Sequence, residues 1–119
     1  LVVYCGILRY ALRNMELSAE AARNQIYESI RLLGDRTRFD IFCYLKDHPA
    51  YGQELSSHFG LARNTIHYHM SQLFKARLVR CTVEGAKTYY SIDKDRYSKL
   101  LELQRQFFLH DYQTQEPLP

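Results

Sequence analysis

The feature that most limits what this chain can fold into is a change of period at Leu78. Upstream, "GLARNTIHYHMSQLFKA" has Leu61 ahead of apolar side chains at Ile66, Met70 and Leu73, the last three at the four- and three-residue spacing of a helix face. Downstream, "LVRCTVE" and "KTYYSI" are β-branched and aromatic runs joined through Gly85-Ala86, a connection so short that the two runs must pair as a hairpin. Glu84 and Lys87 flank that turn with opposite charges, a cross-strand pair worth a few tenths to about 1 kcal/mol. A helix followed at once by a hairpin restricts the architectures available to a chain of 119 residues, which has room for one core.

The elements before and after agree with that restriction. "SAEAARNQIYESIRLL", Ser18 to Leu33, reads as a helix burying Ala22, Ile26, Ile30 and Leu33. Gly34 stops it, and Asp35 caps a second helix whose expected buried positions are Phe39, Ile41, Phe42, Leu45 and Cys43. "KDHP" breaks the chain, and Leu55, Phe59 and Gly60 outline a short third helix with its terminating turn. The helix at 63–76 follows, then the hairpin at 78–92. Asp93 is placed to cap a long last helix carrying Tyr97, Leu100, Leu101, Phe107, Phe108 and Tyr112 as an apolar stripe. The expected fold is mainly α with a small β-hairpin wing (α+β): a winged helix-turn-helix with additional N- and C-terminal helices. Residues 18–92 form the helix-turn-helix domain, 93–112 a dimerisation helix and 113–119 a flexible tail. The apolar segment 1–17 is either a further layer of a dimer interface or the stub of an upstream domain, and the opening leucine suggests a processed or excised chain.

Charge sharpens the functional reading. The net charge is +3, yet residues 61–90 hold five basic groups (Arg63, Lys75, Arg77, Arg80, Lys87) and one acid, Glu84, so the rest of the chain nets −1. A surplus gathered into thirty contiguous residues is the pattern of an anion-facing surface. A helix enters the major groove, about 12 Å wide, only if its outer face offers donors and acceptors rather than carboxylates, and residues 61–80 contain none. Arg63, Asn64, His67, Tyr68 and Ser71 share the face opposite Ile66, Met70 and Leu73. Arg63 suits a guanine edge and Asn64 an adenine edge, while Thr65 and Tyr68 suit a phosphate or a thymine methyl. Arg77, Arg80 and Lys87 add positive charge beside the groove, where Arg80 and Lys87 track phosphates.

These residues resemble the ArsR (ArsR/SmtB) group of bacterial winged-helix repressors over Ile30 to Ile92. "RLLGDRTRFDIFCYL" is similar to the group's opening pattern, with Thr37, Arg38, Ile41 and Leu45 in place. "ELSSHFGLARNTIHYHMSQLFKARLV" looks like its recognition-helix signature and "EGAKTYYSI" like its wing, Gly85 and Tyr90 included. The resemblance implies a homodimeric repressor that binds double-stranded operator DNA and is regulated by a small molecule, a metal or a protein partner; the odd, widely spaced cysteines make a reducing cytoplasm the simplest home. Four sites depart from the group. Tyr51 and Gln53 stand where metal-sensing members often carry a Cys-x-Cys pair, and on the last helix only His110 with Asp111 matches a second metal site, so no metal is expected at either. Ala62 stands where serine usually caps the recognition helix, a loss of about 1 kcal/mol. Arg77 replaces the glycine that usually ends that helix.

Other chemistries find little footing. His67 and His69 are two apart on a helix, about 200° from each other, and cannot close on one ion; His69 is expected to be half-buried against a backbone partner, with His48 and His58 on the surface. Cys5, Cys43 and Cys81 are an odd, widely spaced set that fits packing in a reducing compartment better than a disulfide framework. No cofactor is expected. No phosphate loop, nucleophile elbow or paired carboxylates appear, so no enzyme is expected, and no apolar run reaches the roughly 20 residues of a membrane span. Tyr97, Leu100, Leu101, Phe107 and Phe108 exceed what a small core needs and are expected at a dimer interface. The competing reading is a winged helix used as a protein-interaction module without DNA contact.

Overall fold

A computed structural model describes residues 18–115, with side chains described as far as Leu109. The elements are α1 (Ala19–Leu33), α2 (Arg36–Tyr44), β1 (Ala50–Tyr51), α3 (Gly52–Phe59), α4 (Arg63–Lys75), β2 (Val79–Glu84), β3 (Lys87–Ile92) and α5 (Lys94–Gln115). This is the mainly helical, winged helix-turn-helix arrangement that the period change at Leu78 requires. The segment 1–17 and residues 116–119 lie outside the described residues, as do the side chains of Tyr112, His110 and Asp111.

The chain forms two compact units. One is Glu28–Tyr97, which holds the helix-turn-helix and the hairpin; the other comprises the chain before Glu28 and after Tyr97, of which 18–27 and 98–115 are described. In the first unit Ile41, Leu45, Leu55, Ile66, Met70, Leu73, Leu78 and Val79 are almost wholly buried, so α2, α3, α4 and the root of β2 share one apolar core. At about 25 cal/mol per Å² of apolar surface, that burial is the main force holding α4 in place.

Local chemistry marks the element ends. The Asp35 side chain accepts from the Arg38 backbone N–H at 2.9 Å, capping α2, and Asp93 accepts from that of Arg96 at 3.1 Å, capping α5. Those N–H bonds are the first cause of the lowered pKa of each carboxyl. Gly60 closes α3 in the left-handed region at φ 64°, and Gly85 opens the hairpin turn at φ 62°. Glu84 stands opposite Lys87, as expected for that turn.

Several buried positions differ from the sequence reading. On α2, Arg38, Ile41 and Phe42 are buried, one face at spacings of three and four, with Leu45 just beyond. Phe39 and Cys43 lie four apart on the other side, so Phe39 is 46% exposed and Cys43 is exposed too. On α1 the buried line runs Ala22, Ile26, Ser29, Leu32; its last two steps of three turn it away from Ile30, which is half exposed, and from Leu33. Cys81 also keeps exposed surface rather than packing as a core residue. A further difference is β1, two residues that pair antiparallel with β3, Ala50 opposite Tyr90 and Tyr51 opposite Tyr89, and give a sheet of order β1-β3-β2.

Candidate nucleic-acid interface

The hydrophobic spacing of α4 turns Ile66, Met70 and Leu73 inward, and the opposite face is left to solvent. Arg63, Asn64, Thr65, His67 and Tyr68 are exposed there, and Ser71 is half-buried at its edge. No carboxylate interrupts this face from Leu61 to Arg80. The helix starts at Arg63 with Ala62 as its N-cap residue, in extended conformation and without a side-chain cap bond, so the first backbone N–H groups of α4 keep their donors free of that partner.

The helix is held from behind by a pair that sequence reading missed. Arg38, 8% exposed, donates through Nε to Nδ1 of His69 at 3.1 Å and through Nη1 to the Leu32 carbonyl at 3.4 Å. His69 is therefore satisfied by a side chain and not by the backbone partner expected. Accepting at Nδ1 leaves the neutral ring's proton on Nε2. Burial pushes the His69 pKa below the ordinary imidazole value and Arg38 acts the same way, against the opposing pull of Asp35. Arg38 shares a helix face with Ile41 and Phe42, which is the signal that marks it as inward-facing.

The positive groups differ in how free they are. Arg63 folds back toward the start of α3: its Nη1 donates to Gln53 Oε1 at 3.2 Å, and a Cβ on Gly52 would come within 3.1 Å of its Nη2. Lys87 sits over the Tyr51 ring, its Nζ 4.3 Å from the centroid, a cation–π contact across the sheet. Arg80 is engaged by Asp93 at 3.2 Å and by Asp95 at 3.5 Å. Arg77 is exposed and adopts φ 62°, the left-handed conformation that glycine would take at this helix end. Thus the helix-to-strand turn survives the missing glycine, with Arg77 absorbing the strain.

A solvent-exposed, acid-free second helix followed by a hairpin is the layout of the winged helix-turn-helix, and the comparisons with known proteins agree. Residues 33–82 match the family described as helix-turn-helix domain. The chain carries a winged helix-turn-helix and resembles the ArsR-type regulators. It is 28% identical over 76 residues to the HTH-type transcriptional regulator KmtR of Mycobacterium tuberculosis, a match covering 64% of this chain and 58% of that protein. The chain thus spans little more than half the length of that relative. Among solved structures, an ArsR-like transcriptional regulator from Rhodococcus sp. RHA1 superimposes with a TM-score of 0.66 at 20% identity, covering 77% of this chain and 88% of the other. The homodimeric winged helix-turn-helix domain Mb0332 of Mycobacterium bovis, a possible ArsR-family regulator, gives a TM-score of 0.61 at 21% identity, with 84% and 87% covered.

In the winged helix-turn-helix unit no group of three or more His, Cys, Asp or Glu side chains is placed to hold a metal ion among the described residues. No described helix is long and apolar enough to cross a membrane. On α5, Leu100 is buried, Tyr97 and Phe107 are half-buried, and Leu101 and Phe108 are exposed, Phe108 at 57%. Leu103, which the sequence reading left out of the stripe, is also buried.

Proposed function

We propose that this protein is a sequence-specific DNA-binding transcription regulator, a dimeric repressor of the ArsR type. In this reading α4 enters the major groove and the wing follows phosphates. The observation that carries it is the outer face of α4, exposed from Arg63 to Tyr68, without a carboxylate and backed by a fully buried apolar face. A protein-docking helix has no reason to exclude Asp and Glu from such a face. Arg63 and Asn64 contact base edges; Thr65, His67, Tyr68 and Ser71 complete the reading surface. Arg77 and Lys87 contact phosphates, and Arg80 does so on exchanging Asp93 for a phosphate oxygen.

Two copies double the number of base pairs read, and symmetric pairing is the usual way to achieve it. On α5 Leu101, Phe108 and Leu109 are exposed apolar groups available to a second copy, and the homodimeric state of Mb0332 supports the same arrangement. Fluorescence anisotropy with the duplex upstream of the protein's own gene, against a shuffled duplex of equal length, tests the proposal. The native chain should favour the upstream duplex by tenfold or more at physiological salt, in line with the roughly 10³ or greater ratio common for specific sites. Equal affinity for both duplexes, or none for either, would sink it.

A further inference from the structure

A hollow of the winged helix-turn-helix unit lies between α4, the wing and the start of α3, with a volume of about 680 Å³, within the usual range for a small-molecule site. Its chemistry is two-layered. Arg63 and Lys87 stand on its walls, one reaching in from α4 and the other from β3, and His67 adds a ring nitrogen. None of the residues lining the hollow is an acid, and although Glu84 stands opposite Lys87 in the hairpin register, the Lys87 ammonium lies over the Tyr51 ring and Arg63 donates to Gln53. The other walls are aromatic and apolar: Tyr51, Phe74 and Tyr90, with Met70 and Cys81 beside them. Met70 has no exposed surface, and burial raises the pKa of both the Cys81 thiol and the Tyr90 hydroxyl.

A strand of DNA accounts for the cations but not for the rest. A sugar-phosphate backbone needs a positive rim, and gains nothing from an aromatic-walled interior behind it. An interior of that kind suits a flat apolar body, and uncompensated cations at its mouth suit a single negative group on that body. Both cations are already held over the hollow, Arg63 by Gln53 and Lys87 by the Tyr51 ring, which lowers the cost of ordering them around a ligand.

We infer that the cleft between α4 and the wing binds a small aromatic carboxylate, its ring between Tyr51, Tyr90 and Phe74 and its carboxylate between Arg63 and Lys87. Because the same two cations belong to the DNA-contacting set, occupancy and operator binding exclude one another. This last step rests on the function proposed above; the binding step does not.

The test uses 1-naphthoate as the probe, with uncharged 1-naphthalenemethanol as its control, titrated calorimetrically into the full chain without DNA. Naphthoate should bind at least about tenfold more tightly than the alcohol, the factor that 1.4 kcal/mol of charge-assisted hydrogen bonding represents. Lys87→Gln should cut that preference severalfold, Arg63 being left as the second cation, and Cys81→Trp, which fills the hollow, should abolish binding of both probes. Lys87→Gln alters an exposed side chain, so it decides the question even if the tryptophan variant misfolds. Equal binding of the two probes, or a naphthoate preference that Lys87→Gln leaves undiminished, overturns the site. Anisotropy with the upstream duplex then reads the exclusion: saturating naphthoate should weaken duplex binding tenfold or more, and an unchanged affinity overturns competition. A chain that binds naphthoate but no duplex refutes the transcription reading and supports the ligand site.

Discussion

Arg38 of α2 and His69 of α4 meet as a buried donor and acceptor, Nε to Nδ1 at 3.1 Å, and so couple the helix that scaffolds the domain to the helix with the acid-free outer face. The bond needs a neutral imidazole. Since the folded pKa of His69 is lowered from 6.5 while the unfolded chain keeps the ordinary value, the unfolded state takes up its proton first as pH falls. The stability from this pair is therefore complete above about pH 6.5 and declines as pH falls toward the lowered folded value. Urea midpoints measured at pH 7.5 and 5.5 should drop for the native protein and drop less for His69→Gln. An equal fall in both would show that His69 is not the group responsible.

Ala62 leaves the start of α4 without a side-chain cap although its backbone is already extended at φ −63°, ψ 150°. Serine there needs no rearrangement, and Ala62→Ser should stabilise the domain by about 1 kcal/mol. Thermal unfolding followed by circular dichroism checks this; an unchanged or lower midpoint would mean that another group already serves those N–H donors.

Arg77 combines two opposed roles, a left-handed backbone at φ 62° and an exposed positive charge. Removing its Cβ relieves a conformational cost of about 1–2 kcal/mol, partly offset by the greater freedom of glycine in the unfolded chain. Arg77→Gly is expected to raise the unfolding midpoint while weakening every duplex alike. A loss of stability would indicate that the side chain packs favourably enough to outweigh its backbone strain.

Arg63→Ala should lower affinity for the specific duplex by about 1–3 kcal/mol and relax base choice at one position per half-site. Lys87→Gln should weaken specific and random duplexes alike and make the salt dependence shallower by roughly one ion. Anisotropy titrations at several salt concentrations separate the two patterns. Variants that both bind like the parent would refute the assignment of α4 and the wing to DNA.

Much of this architecture is readable from local rules. The period change at Leu78, the two-residue turn at Gly85-Ala86, the caps Asp35 and Asp93 and the stop at Gly60 each depend on neighbours within four positions, and each is found where such rules place it. What escaped was either too short or too distant. Two residues cannot display a period, so β1 is visible only through its partners Tyr89 and Tyr90, about forty positions away. Arg38 and His69 are 31 residues apart, and nothing local in either segment announces the other. Phe39 and Cys43 were misplaced because apolar character was weighed above helical phase, which assigns the inward face to Arg38, Ile41 and Phe42. At the candidate interface the exposed face of α4 was legible from spacing, whereas the engagement of Arg80 by Asp93 and of Arg63 by Gln53 depends on folded geometry.

In backbone pairing the two residues of β1 meet the hairpin only at Tyr89 and Tyr90, so beyond them the hairpin projects past the third strand with only the Lys87 side chain still resting on the Tyr51 ring. Mechanically this is a cantilever clamped at its base, where a small tilt at the clamp becomes a larger swing at the free end. A substitution at Ala50, remote from any proposed contact with nucleic acid, should then broaden the amide signals around Gly85 and blur where Lys87 meets the duplex.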